Sequence, residues 1–377
     1  LPVTEAFGLA IGRLFDCDPM PCADPNKLTS HVESQMQNSF EINTGTTRST
    51  ASPQSVRVGG EESRPVLSCT TQVCLGHLRI FPPLFQAPMA GYTNYAFRQL
   101  LRSLGGVGLV CTEMVSARGF LELDRRYQRL PERLWGLQEE PRPVAVQIWD
   151  NEPDKLALVA ERLVEDFNVS CLDINFGCPS EQITKGVSCG AFLLRQPDVI
   201  GKIVSHVVKR VSPVPVTAKI RLGWSEQEIN APEVAEIIEQ AGGAGVFVHG
   251  RTAQQKYRGM ANWSQICEAK KRVKRIPVIG NGDIRSAPQV LSALTEYGVD
   301  GVMIGRAALS RPWIFRETAA LLTGRPIPPE PTAEEQLELF VRLYRELEQY
   351  FGNVKAGILM RRFASRFVAA RRGAKRF

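Results

Sequence analysis

From Leu84 onward the chain repeats one unit eight times, a short apolar run followed by a stretch with apolar residues at three-four spacing. Short apolar runs bounded by turn residues read as buried strands, and three-four spacing lays one helical face on a sheet. The predicted strands are 84–87, 108–112, 144–149, 171–175, 216–220, 246–249, 277–280 and 301–304. In the third unit Leu156, Val159, Ala160, Leu163, Val164 and Phe167 carry the helical face. Strict alternation of this kind predicts a parallel sheet, and eight units close into a (β/α)8 TIM barrel of about 250 residues.

The chain has 377 residues, so a barrel leaves room for appendages. Residues 1–76 are rich in Ser, Thr, Pro, Gln and Asn without hydrophobic period and are expected to be a disordered extension. Residues 77–325 then form the barrel, and 326–377 a small helical domain. The extension holds five bases against eight acids, so of the formal +7 charge the rest of the chain carries +10, which suits a polyanionic partner. No apolar run approaches the roughly 18 residues of a spanning helix, and the expectation is a soluble protein without a secretion signal. Nine scattered cysteines point to a reducing, cytoplasmic setting. Cys17/Cys22 and Cys69/Cys74 have the spacing of zinc ligands but no flanking histidines, so no metal is expected.

In a barrel of this type, catalytic groups sit on the loops that follow the strands. The exits here read Ala87-Pro-Met-Ala-Gly91, Thr112-Glu-Met114, Gln147, Asn175 to Pro179, Lys219-Ile-Arg221, His249-Gly-Arg-Thr252, Asn281-Gly-Asp283 and Gly305-Arg306. Gly177 and Pro179 bracket Cys178 with the two residues that most strongly force a turn, which holds the thiol at the fourth exit. Asn281-Gly282-Asp283 and Gly305-Arg306 follow strands seven and eight, where barrels commonly bind phosphate. Lys219, beside Gln147 and His249, suits a planar ring with carbonyls, since an inward lysine is costly without a partner.

Ala87-Pro-Met-Ala-Gly91, Asp173-Ile-Asn-Phe-Gly-Cys-Pro179, Lys219-Ile-Arg-Leu-Gly-Trp224, His249-Gly-Arg-Thr252, Val278-Ile-Gly-Asn-Gly-Asp283 and Met303-Ile-Gly-Arg-Ala-Ala308 together resemble the bacterial tRNA-dihydrouridine synthases. The resemblance covers about 84–317 and continues weakly beyond. It implies an FMN enzyme that uses NADPH to reduce the C5–C6 bond of chosen uridines in tRNA, working as a monomer without a membrane. Carried over, Pro88, Met89, Ala90, Gln147, Lys219, His249, Asn281, Gly282, Asp283, Gly305 and Arg306 are the flavin contacts, and Cys178 is the proton donor. Asn175 falls near flavin and uracil, and the helical domain grips tRNA. Two departures stand out: Phe176 is bulkier than the usual residue, and 185–190 is about one residue longer, which brings in Cys189 as an alternative acid.

Two other readings stay open, a flavin enzyme acting on a free pyrimidine in the manner of dihydroorotate dehydrogenase, and an RNA-binding protein without catalysis. The carboxyl end predicts two helices that meet at Gly352-Asn353, with Leu337, Phe340, Val341, Tyr344, Leu347 and Phe351 on one face and Ile358, Leu359, Phe363 and Phe367 on the next. From Asn353 the charges are all positive, which points to phosphate contact, and the resemblance leads one to expect more chain beyond Phe377.

Overall fold

The structure, a computed structural model, describes residues 72–369, and it opens on an element the sequence does not announce. Strands β1 (Val73–Leu75) and β2 (Leu78–Ile80) pair antiparallel, with Val73 opposite Ile80 and Leu75 opposite Leu78. Gly76, at φ 58, makes the two-residue turn that a tight hairpin needs. Residues 72–76, which the sequence reading placed in the extension, are therefore ordered, because Val73, Leu75 and Ile80 are buried in the barrel's own core. Residues 1–71, which include Cys17, Cys22 and Cys69, lie outside the described residues.

The eight expected strands follow in order, joined by one the sequence did not predict, the short β5 (Val115–Ser116): β3 (Leu84–Gln86), β4 (Val110–Cys111), β6 (Val144–Trp149), β7 (Cys171–Phe176), β8 (Val216–Arg221), β9 (Gly245–His249), β10 (Val278–Asn281) and β11 (Gly301–Ile304). All are parallel in the order β3-β11-β10-β9-β8-β7-β6-β4, with β5 added to the end of β6. A parallel bridge between Phe85 and Leu109 joins β3 to β4 and closes the barrel. Helices alternate with the strands on the outside; Pro153–Phe167 buries Leu156, Val159, Ala160, Leu163 and Phe167 as the three-four spacing requires.

Inside the barrel, chemistry changes with height. Phe85, Cys111, Ala145, Cys171, Phe247, Ile279 and Met303 form an apolar layer, and the hairpin fills the floor beneath it. A Cβ on Gly245 would come 2.7 Å from Leu75 Cδ2, so the hairpin seats directly on the strand entrances. Above that layer the inward positions turn polar, from Cys171 to Asp173 to Asn175 along β7 and from Thr217 to Lys219 to Arg221 along β8. The apolar floor fixes the fold, and the polar top is left for chemistry. Leu75→Ala is accordingly expected to cost about 2–5 kcal/mol, read as a lower urea midpoint, although the residue itself belongs to no helix or barrel strand. An unchanged midpoint would show that the hairpin is ornamental.

The carboxyl end, Ala333–Ala369, is two helices broken at Gly352 (φ 73, ψ 162), as the sequence predicts. Their buried face differs in detail. Phe340, Leu343 and Leu347 are buried before the break, and Ala356, Met360, Phe363 and Phe367 after it, whereas Ile358 is half exposed. The second face is therefore shifted by part of a turn, because it docks on barrel residues whose position the sequence does not show. Phe363 packs edge-on against Tyr92 (centroids 5.5 Å) and tilted against Phe97 (5.4 Å), and Tyr350 meets Tyr95 (4.8 Å). Trp135, on the long connection after β5, stacks on Phe351 at 5.1 Å. Among the described residues no helix is long and apolar enough to cross a membrane.

Candidate active site

The polar residues at the strand exits converge on one rim, and a chain of hydrogen bonds runs across three strands. Thr217 Oγ1 donates to Asp173 Oδ1 (2.8 Å), and Gln147 Nε2 donates to Asp173 Oδ2 (2.6 Å). Asn175 Nδ2 donates to Gln147 Oε1 (2.7 Å), and Asn175 Oδ1 accepts the backbone N–H groups of Gly177 (3.1 Å) and Cys178 (2.9 Å). Arg221 Nε completes the turn by donating to the Gly177 carbonyl at 2.8 Å.

Cys178 is partly exposed at this turn. Burial pushes its thiol above the ordinary range, against the Ser180 amide, Arg221 and Lys219, which favour the thiolate. The group is thus a protonated thiol at neutral pH with two cations ready to accept its conjugate base. The other candidate thiol is differently placed. Cys189 is fully buried, donates to the Val187 carbonyl at 3.2 Å and is pushed up to about 12 by burial and then Asp150. Its neighbour Gly190 (φ 60) lies so close that a Cβ there would come 2.8 Å from the Cys178 carbonyl oxygen.

Beside this turn and onward along the rim stand four cations. Lys219 makes no hydrogen bond or ion pair among the described residues, and burial followed by the charge of Arg221 brings its ammonium down to about 8. Arg221 donates to the carbonyls of Gly177, Thr252 and Lys256 and also bonds the Tyr257 side chain, and burial lowers it to about 10. Arg251 bonds Asp283 Oδ2 (2.7 Å), and Arg306 bonds Asp283 Oδ1 (3.1 Å). Asp283 also accepts the Ala261 N–H (2.7 Å); this bond and the two arginines outweigh burial and hold its carboxyl low. Asp283 is therefore occupied in holding the two guanidiniums. The rim has a surplus of positive charge that the chain itself does not neutralise.

Burial, then Arg221, Lys219, Arg251 and Arg306, depress His249 far below the imidazole range, so it is neutral. Because Arg251 Nη1, 3.4 Å from His249 Nε2, can only donate, the proton belongs on Nδ1. Asn281 Nδ2 donates to the Met303 carbonyl (2.8 Å), and a Cβ on Gly282 would meet Ala261 at 2.6 Å. Gly305 lies beside Ala87 and Met89, which brings the 88–90 loop to the end of β11. The predicted site residues on β6 to β11 thus share one mouth with Pro88, Met89 and Ala90 at its edge.

Several participants were given no role by the motif reading, namely Asp173, Arg221 and Arg251, which lie inside its motifs, and Thr217 and Tyr257, which lie outside them. Their signal was strand parity. Asp173 is two before Asn175, Thr217 two before Lys219, Arg221 two after it and Arg251 two after His249, so all point inward with the residues that were found. Tyr257 carries no such signal. Its exposed ring lies 5.5 Å from the Arg221 guanidinium and 5.3 Å from that of Arg306.

The comparisons agree with this geometry. The sequence model for dihydrouridine synthase (Dus) matches residues 85–376. A probable tRNA-dihydrouridine synthase of Rickettsia bellii is 36% identical over 284 residues, which is 75% of this chain and 84% of that protein. tRNA-dihydrouridine synthase B of Xanthomonas campestris is 41% identical over 262 residues, 69% of this chain and 76% of that protein. Among solved structures, morphinone reductase in complex with tetrahydroNAD superposes with a TM-score of 0.51 at 13% identity, over 72% of this chain and 94% of that one, a likeness of fold alone. A closed parallel barrel, a cysteine held at the exit of β7 and a family match over most of the chain lead to one conclusion: this protein belongs to the dihydrouridine synthase family.

Proposed function

We propose that the protein reduces selected uridines of tRNA to 5,6-dihydrouridine with FMN and NADPH, and that Cys178 protonates C5. The observation that carries this reading is the placement of a protonated thiol at one rim with an unpaired ammonium, Lys219, and a neutral imidazole, His249. The rim fits FMN by the same test: Lys219 and His249 can donate to ring carbonyls, and the positive surplus held by Arg251 and Arg306 suits a phosphate. Pro88, Met89, Ala90, Gln147, Asn281, Gly282 and Gly305 would complete the binding surface. Bound there, reduced flavin would supply a hydride for uracil C6.

The residues do the rest. As electron density gathers at C5 and O4 of the ring, the Cys178 S–H bond breaks and its proton goes to C5. The thiolate left behind lies in the field of Arg221 and Lys219, which lowers the cost of forming it. Because a stacked uridine cannot reach this mouth, the base is turned out of the tRNA first. The test is incubation of purified protein and FMN with unmodified tRNA and NADPH, against free uracil and dihydroorotate as substrates. Dihydrouridine in tRNA alone supports the proposal, turnover of the free pyrimidines favours the rival flavin enzyme, and neither product favours a binding protein.

Two measurements probe the parts separately. Arg306→Ala removes a charge-assisted contact and is expected to weaken FMN binding about tenfold or more while riboflavin, which lacks the phosphate, binds as before. Equal FMN retention would remove Arg306 from the phosphate site. For tRNA, Arg362 and Arg366 are exposed on the last described helix, and Arg362 stands directly over Gly91 at the barrel mouth. Deleting the segment would also strip Phe363 from Phe97, so charge removal is the cleaner probe. Arg362→Gln with Arg366→Gln is expected to weaken tRNA binding and reduce the slope of log affinity against log salt by about one to two.

A further inference from the structure

The hydrogen-bond chain across β6, β7 and β8 has a direction, and direction is what two amides between fixed ends must agree on. At the outer end, the N–H groups of Gly177 and Cys178 can only donate, so Asn175 must present its oxygen to them and its NH2 to Gln147. Gln147 must then offer its oxygen to Asn175, which leaves its NH2 for the inner end. There Asp173 waits with an acceptor, its second oxygen taken by the Thr217 hydroxyl. Asp173 is buried at the top of the apolar layer, beside Phe85, Phe247 and Met303. A buried carboxylate in such a place is costly unless its bonds are needed.

We propose that Asp173 is a positioning residue, whose acceptor oxygen sets the polarity of Gln147 and Asn175 and through them pins the turn that carries Cys178. The consequence for proton transfer rests on the reading of Cys178 as the acid, but the polarity itself is tested without turnover. Asn175→Asp keeps the shape and still accepts from Gly177 and Cys178, yet it faces Gln147 with a second acceptor while Asp173 does the same from the other side. With both carboxyls ionised, at a pH well above the value of about 6 to which burial raises Asp173, one contact must break. Asp173→Asn combined with Asn175→Asp reverses the chain: the new amide at 173 donates to the Gln147 oxygen, and the Gln147 NH2 donates to the new carboxylate at 175. Every group is again satisfied, although two residues have been changed instead of one.

The experiment measures iodoacetamide alkylation of Cys178 in the full chain by peptide-resolved mass spectrometry, with Cys267 as internal reference, with and without saturating FMN. Asn175→Asp is expected to raise the Cys178 rate about tenfold relative to Cys267, and the double variant to return it within about twofold of the parent. Asp173→Asn alone should stay near the parent, since its amide oxygen can accept from Gln147 while its NH2 turns to Thr217. Should Asn175→Asp fail to fold, recovery of soluble protein by the double variant is the same rescue. A double variant as reactive, or as insoluble, as Asn175→Asp overturns the proposal, and so does an Asn175→Asp protein with the parental rate. Loss of tRNA reduction in Cys178→Ala plays no part in these outcomes, so the polarity and the acid assignment fail separately.

Discussion

Cys178→Ala is expected to lower dihydrouridine formation about 10²–10⁴-fold while FMN stays bound and NADPH still reduces it, because only the proton transfer is removed. The thiol's ordinary pKa is about 8.5 and burial raises it here, so the proton is present throughout the neutral range. As an acid, Cys178 works below its pKa, and activity should therefore fall as pH rises through it. Cys178→Ser keeps the shape but offers a far weaker acid and should rescue little. Stopped-flow reduction of the flavin and single-turnover tRNA assays separate the two half-reactions. If Cys178→Ala turned over normally and Cys189→Ala did not, the acid would be the wrong thiol; the burial of Cys189 and its bond to Val187 argue against that outcome.

The largest effect on stability is expected far from the chemistry, at Glu140. Its carboxylate is fully buried and is gripped by Arg98, also fully buried, through Nε at 2.9 and 3.1 Å and through Nη2. Arg102 lies 3.8 Å away, its guanidinium lowered by burial in spite of Glu140. Glu140→Ala leaves a buried guanidinium without its counter-charge, which costs about 3–5 kcal/mol. The damage is expected to reach the carboxyl-terminal helices, because the same connection carries Glu132, Trp135 and Glu139, which hold Lys355, Phe351 and Tyr350 there. Arg98→Met with Glu140→Met should be less destabilised than Glu140→Ala, since the fully buried guanidinium leaves together with its counter-charge and only the partly exposed Arg102 loses a neighbour. A Glu140→Ala protein with the parental melting temperature would refute this account.

The barrel was legible in the sequence because each strand and helix reports its own buried face through its period, and eight such units leave few ways to close. The polar rim at the strand exits was legible for the same reason. A strand's exit is marked by where its apolar run stops, and Gly177 and Pro179 marked the turn at Cys178. The tertiary structure alone decided the hairpin of β1 and β2, whose three-residue strands are too short to show a period and became core only by meeting Gly245 and the barrel floor. It alone paired Arg98 with Glu140, 42 residues apart, and shifted the buried face of the last helix onto Tyr92 and Phe97. It also joined Asp173, Gln147, Asn175 and Thr217 into one chain with a direction. Period tells which side of its own element a residue takes; the partner it meets there is set by register between strands and by closure of the barrel, and neither is written in any single segment.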